Sequence, residues 1–516
     1  MQSVYNFSGM NDFIRRIPFD NRFTWLLLWS AVALLIVTGA FFQFGPSSQQ
    51  IYLDRQTAAM KPEFGKHIKD LSEAPRYSLI ASVNPESRRI TAQMRLEYTN
   101  SHQTTLSRLS FRLYPNATSI YGGGELTVER AVQDNALLQT ELSEDGTILF
   151  IFLNSPLAPG KTVDLSLNFR AQIPALSSQG YGIFSQNGEV TALAGWYPLL
   201  APYSDGWKTP PVPQVGDAMF AETSFYEVRL AAPAELKLAS TGTVIGKETR
   251  EAQTTWHIVS GPVREFAVAL SPQFEILERR QGDTILRLYT LPSRNPATSA
   301  GEGLNIFEEA FNLFSEQFGP YPYRELDMVE TAVSIGGYEF PGMVYVDDDL
   351  RVQEPFDRYQ YLAAHELAHQ WWYNLAGNHT INEPWLDEAH ASYAGVLYFE
   401  QVEGKPAGER FLANWEATDG TRESGDPPVN SSALEFSSWA PYRRTVYVHG
   451  ALFIEELRQE MGDEKFFEFL RKYQETYRYQ IASTADYLAL AEEVAGRQLD
   501  PTFTAWLRLT AEGSRN

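Results

Sequence analysis

The chain has 516 residues, of which 44% are hydrophobic, 21% charged and 13% aromatic, a balance that supports a buried core and excludes a disordered chain. Asp and Glu total 64 against 42 Lys and Arg, and the formal net charge of −22 argues against a nucleic-acid partner, because such a surface repels phosphate backbones. The absence of cysteine excludes disulfides, a thiol nucleophile and zinc–thiolate sites, and leaves the compartment open.

Residues 1–22 form a short tail carrying Arg15, Arg16 and Arg22. The next stretch, 23–44, reads FTWLLLWSAVALLIVTGAFFQF and has no charge over 22 residues. At about 1.5 Å per residue a helix of this length spans about 33 Å, enough to cross a bilayer. Trp25 and Trp29 suit the membrane interface, and the preceding arginines place the N-terminus in the cytoplasm. A cleaved signal peptide and a buried core helix are the alternatives. The run is long for a signal, and Thr38–Ala40 is a weak cleavage site. The expectation is a single-pass anchor in the cell membrane, with the lipid bilayer as a partner and the rest of the chain outside the cytoplasm.

Residues 45–76 are polar at first and read as a stalk. From residue 77 to 280, short alternating runs such as RITAQMRLEY (89–98) and KTVDLSLNF (161–169) are separated by turn residues, which predicts an antiparallel, sandwich-like β domain. The Pro-rich segment WKTPPVPQV (207–215) reads as a loop inside it. After the run TILRLYTL (284–291), helical spacing dominates, so 281–516 reads as a mainly α-helical domain. The whole is expected to be α+β and multi-domain.

The chemistry concentrates in YLAAHELAHQWW. His365 and His369 stand at i and i+4, one above the other on one helix face, where two imidazoles reach a single ion. Glu366 lies beside them, placed to take a proton from water without being a ligand. A hydrolytic zinc site needs a third protein ligand and one open position. Eighteen residues after His369 comes Glu388, in NEPWLDEAHASY, where Asn382 as N-cap and Pro384 in the first turn would put it about one turn into a second helix. His379, His390 and His449 are read as non-ligands, because a fourth protein ligand would close the catalytic position. One Zn2+ per chain is therefore expected on His365, His369 and Glu388.

With these residues in view, the sequence resembles the aminopeptidase N family of zinc metallopeptidases (gluzincins). HELAHQWW and WLDEAHASY carry the resemblance, which extends over roughly residues 77–512, and the longer members' C-terminal helical domain is expected to be absent. It implies a thermolysin-like catalytic domain. The family's G-x-M-E-N motif is matched by Gly336-Gly337-Tyr338-Glu339-Phe340, with Tyr for Met and Phe for Asn. This implies that Gly337, Tyr338 and Glu339 bind substrate. The resemblance also implies that Tyr447, three residues before Gly450, is catalytic, with Tyr442 a weaker second candidate, and that Glu189, nine before Pro198, is a second anchor for the substrate amine.

The reading is a membrane-anchored zinc aminopeptidase acting on peptides with a free N-terminus. Two rivals stand beside it: a catalytically silent peptide-binding or scaffold ectodomain, motivated by the altered G-x-M-E-N segment, and a zinc endopeptidase indifferent to the free amine.

Overall fold

In the computed structural model, which describes residues 49–175, 180–292, 299–351, 357–423 and 425–509, the segment Arg89–Thr99 shows how the β domain is built. Ile90, Ala92, Met94, Leu96 and Tyr98 are buried, and the residues between them are exposed or half-buried. This period of two lays one apolar face on the core and fixes the register. The strand belongs to an eight-stranded sheet ordered Thr243–Arg250, Gln253–Val263, Ser224–Pro233, Arg76–Asn84, Arg89–Thr99, Thr162–Gln172, Glu125–Gln133 and Ala136–Leu137. One pairing, Arg76–Asn84 with Ser224–Pro233, is parallel, so the expected antiparallel domain is corrected. These two strands lie far apart in sequence, and the chain returns between them by a long crossover instead of a hairpin. Two four-stranded sheets complete the domain.

A five-stranded mixed sheet then opens the second domain, ordered Glu275–Gln281, Thr284–Thr290, Glu325–Thr331, Met343–Asp347 and Gly337–Phe340. It begins at Glu275, within the stretch expected to close the β domain. Behind it come the helices Ala300–Gln317, Asp357–Ala368, Trp385–Glu403, Lys405–Asp419, Gly450–Met461, Asp463–Thr476, Thr484–Ala495 and Asp500–Trp506. Ala300–Gln317 starts with a capping box between Ser299 and Glu302. Trp385–Glu403 is buried at every position from Trp385 to Phe399, as a helix enclosed on all sides must be.

Leu53–Asn516 is one compact unit. Of Met1–Tyr52, only the first residues of the helix Gln49–Gln56 are described. The expected tail and membrane span lie outside the described residues. Among the described residues, no helix is long and apolar enough to cross a membrane. The expected stalk is corrected beyond residue 52. Ala59, Met60, Phe64 and Ile68 are buried, and Gln56 is enclosed: its Nε2 donates to the Tyr226 carbonyl at 3.1 Å and its Oε1 accepts from the Ser260 and Gly261 amides at 3.2 and 3.0 Å. The polar composition of the segment hid the apolar side chains Leu53, Ala59, Met60, Phe64 and Ile68, which fold residues 53–76 onto the rest of the unit.

Arg264 ties the two domains together. Its buried guanidinium donates to the carbonyls of Ala221 (3.1 Å), Tyr373 (2.6 Å) and Gln480 (2.7 Å). These three acceptors come from segments remote in sequence, and one guanidinium joins them.

Candidate metal centre and active site

The helix Asp357–Ala368 buries His365 and Glu366, and His369 follows directly, one turn on from His365. Trp385–Glu403 brings in Glu388 from its first turn, as expected, although Pro384 occupies the N-cap and Asn382 caps nothing, bonding His379 instead. The two imidazole Nε2 atoms are 3.3 Å apart, and Glu388 Oε2 stands 3.3 Å from one and 3.5 Å from the other. Tetrahedral ligands held about 2.0–2.1 Å from an ion stand about 3.3–3.4 Å apart, so the triangle has the size that zinc requires. Glu388 Oε2 is buried and makes no hydrogen bond, which leaves it unsatisfied in protein alone. His369 Nδ1–H donates to the Trp372 carbonyl at 3.3 Å, which leaves its Nε2 lone pair free for a metal. Asp387 Oδ1 accepts from the Glu388 amide at 2.8 Å and so holds the start of that helix turn.

Five carboxyl groups converge here: Asp217, Glu339, Glu366, Asp387 and Glu388, all buried. Burial first, then the charge of Glu388, pushes Glu366 well above the ordinary carboxylate range. Burial and the neighbouring acids do the same to Asp217 and Glu339. Glu388 is the exception: burial raises it, but the facing imidazoles outweigh burial and hold it below the usual range. Such a cluster is costly in isolation and suits a divalent cation together with a bound ammonium.

A cavity of about 260 Å³ opens on this cluster, lined by the three candidate ligands and by Glu366, Glu339, Gly337, Asp217 and Tyr447. Gly337 and Glu339 lie on the edge strand Gly337–Phe340, which pairs with Met343–Asp347. Gln370 fixes that hairpin to the motif helix: its Oε1 accepts from the Gly342 amide at 2.8 Å and its Nε2 donates to the Phe340 carbonyl at 2.9 Å. A Cβ on Gly337 would collide with the Glu366 carboxylate, so only glycine lets this strand approach the base. Tyr338 corrects an expectation. Alternation along the strand turns its side chain from the cavity, and its ring packs near Tyr181 and Phe340. Glu189 is a second correction. It sits half-buried at the turn between Phe184–Gln186 and Thr191–Leu193, where its amide donates to Asn187 Oδ1, and it does not line the cavity.

The β-domain acid that does line the cavity is Asp217. It follows the Pro-rich loop of the β domain. Gly216, at φ +82°, delivers it, and a Cβ there would strike the Tyr442 hydroxyl. The Tyr181 hydroxyl accepts from the Gly216 amide at 3.0 Å and holds the loop in place. Only a local signal, an Asp next to a Gly after a rigid loop, marks it in the sequence.

Tyr447 lies on a π-helical stretch, Arg443–His449, that leads into Gly450–Met461. Its hydroxyl donates to Glu388 Oε1, and burial, with Glu388 beside it, pushes the phenol well above its ordinary pKa, so it stays a proton donor at neutral pH. Tyr442 is buried nearby and does not line the cavity. Its ring and that of Tyr447 are 5.8 Å apart.

Residues 302–506 match the Peptidase family M1 domain. Among curated relatives, the chain is 28% identical over 309 residues to Aminopeptidase M1-B of Oryza sativa subsp. japonica, covering 55% of this chain and 34% of that protein. It is 26% identical over 235 residues to Aminopeptidase N of Streptomyces lividans, covering 43% and 27%. The chain thus spans well under two thirds of these relatives' length. Among solved structures, an M1 zinc metallopeptidase from Deinococcus radiodurans superposes with a TM-score of 0.64 at 20% identity, over 86% of this chain and 96% of that one, and shares the fold. A variant of the Deinococcus radiodurans enzyme carrying Tyr-Ser-Ala superposes with a TM-score of 0.65 at 20% identity, over 85% and 95%. Together with the zinc-sized triad, these likenesses show a Peptidase family M1 domain at residues 302–506, and the chain is similar there to aminopeptidases and, in fold, to an M1 zinc metallopeptidase.

Proposed function

We propose that this protein is a zinc aminopeptidase that removes N-terminal residues from peptides. The observation that carries the reading is the placing of two buried acids that are not ligands, Glu339 and Asp217, in the same cavity as the triad. A free α-ammonium is their natural partner, and a charge-assisted bond to it sets the first peptide bond over the triad. When bound, zinc supplies Lewis acidity, acidifying water and polarising the scissile carbonyl. Glu366 takes the proton of the attacking water and returns it to the leaving amine. The Tyr447 hydroxyl turns from Glu388 to donate to the developing oxyanion. A Tyr447→Phe variant is expected to lose about 10²–10³-fold in kcat on alanyl p-nitroanilide with little change in KM; a loss confined to KM would remove the phenol from this role.

The uncharged run 23–44, with its flanking arginines and interfacial tryptophans, supports a single-pass anchor that holds the catalytic domain outside the cytoplasm. One experiment on the full chain tests both proposals. Washed membranes are expected to hold the activity until detergent releases it. The released protein is expected to cleave alanyl p-nitroanilide but not its N-acetylated form, and to stop when zinc is chelated. Cleavage of both substrates would select the endopeptidase, and a zinc-free, inactive protein would select the silent scaffold. Activity recovered in the soluble fraction without detergent would count against the anchor.

A further inference from the structure

The cavity extends past the triad to a wall that the mechanism above does not use. Tyr361 stands one turn before His365 on the motif helix, and their rings are 5.8 Å apart. Behind it, Phe411 and Trp415 project from the helix Lys405–Asp419, with ring separations of 5.2 and 5.7 Å to Tyr361 and 5.1 Å to each other. Trp439 closes the wall near Tyr447 at 5.5 Å. All four line the cavity. Two cations line it as well, Arg358 and Arg443. Arg443 gives one donor to Asp419 at 2.9 Å, and the rest of its five-donor fork is available to a second acceptor.

Two observations set this wall on the leaving-group side. First, Glu339 clusters with Glu366 and His369, whereas Tyr361 of the aromatic wall lies tilted against His365, so the amine anchor and the wall flank different ligands. Second, the acids lining the cavity, Asp217, Glu339, Glu366 and Glu388, act on one another, whereas Arg443 acts on Tyr361 and pairs with Asp419 at the end of the helix that carries Phe411 and Trp415. A peptide bound by its ammonium at Glu339 and Asp217 therefore runs its second residue along the rings and its C-terminal carboxylate toward the guanidinium groups.

Resting on the aminopeptidase reading, we propose that this wall is a binding subsite for a large apolar second residue, and that Arg443 receives the terminal carboxylate of a dipeptide. The substrate class is short peptides, dipeptides foremost, with an aromatic residue in the second position. A benzyl group moved from water onto such a wall is expected to tighten binding about 10- to 100-fold over glycine. Arg443 favours a free carboxylate over an amide, since a charged pair binds more strongly than a neutral one.

The test separates binding from turnover. Zinc-loaded full-length Glu366→Gln protein is titrated calorimetrically with Ala-Phe, Ala-Gly and Ala-Phe-amide. Ala-Phe is expected to bind at least tenfold tighter than Ala-Gly and severalfold tighter than its amide. In the Glu366→Gln background, Phe411→Ala is expected to collapse the Phe/Gly ratio below threefold, and Arg443→Gln to abolish the acid/amide ratio. The milder Phe411→Leu, expected to give an intermediate ratio, guards against a folding defect in Phe411→Ala. Equal affinity for Ala-Phe and Ala-Gly overturns the apolar subsite, and equal affinity for the acid and its amide overturns the role of Arg443. Failure of the wild type to cleave any free-amine substrate would instead overturn the aminopeptidase reading itself, and this proposal with it.

Discussion

Glu366→Gln is expected to keep one zinc per chain and to lose about 10²–10⁴-fold in kcat on alanyl p-nitroanilide, the range that a positioned general base contributes. The substitution preserves volume where it matters, because Glu366 packs against Gly337 with no room for a methyl group. It removes the one function proposed for this side chain, which is to hold a proton between water and amine. Glutamine is neutral and nearly the same shape, so the substitution adds neither charge nor bulk to the buried site. The variant should therefore melt at the same temperature as the wild type. Metal analysis, steady-state kinetics and a thermal scan on one preparation check all three statements. Full activity, or loss of the metal, would contradict the assignment of Glu366 as a base that is not a ligand.

Asp217→Asn is expected to lower kcat/KM for the same substrate by about 150- to 4,000-fold, the equivalent of 3–5 kcal/mol for removing one partner of a buried charge pair. Glu189→Gln is expected to change it less than twofold, since Glu189 sits at a turn away from the cavity. The two variants together decide which acid of the β domain reads the substrate amine. The reverse ranking would return the anchor to Glu189.

The parts legible in the sequence were those set by local periodicity. His365, Glu366 and His369 are fixed by one helix turn, and Glu388 by its place at the start of the next long helix. Both determine geometry without knowledge of the rest of the chain. Tyr338 shows the limit: the resemblance implied three adjacent substrate residues, but the segment is a strand, and only Gly337 and Glu339 line the cavity. Asp217 carried no more than a local Gly-Asp signal because its position depends on a long irregular loop reaching across to the other domain, held by Tyr181 and by the clearance at Gly216. The strands Glu325–Thr331 and Met343–Asp347 were hidden because both are buried on both faces and do not alternate. The span expected at 23–44 lies beyond what the described residues test.

The π-helical stretch Arg443–His449 carries a consequence of its own. Each residue of an ordinary helix turns the chain by about 100°, and a π turn accommodates one residue more than that winding allows. Deleting a single residue such as Val448 would let the segment rewind as a regular helix and swing the Tyr447 phenol by about a quarter turn, out of reach of Glu388. The fold is expected to survive and the oxyanion donor proposed above to be lost. The extra residue is thus a timing mark in the helix, and an insertion or deletion there would silence the protein more surely than most point substitutions.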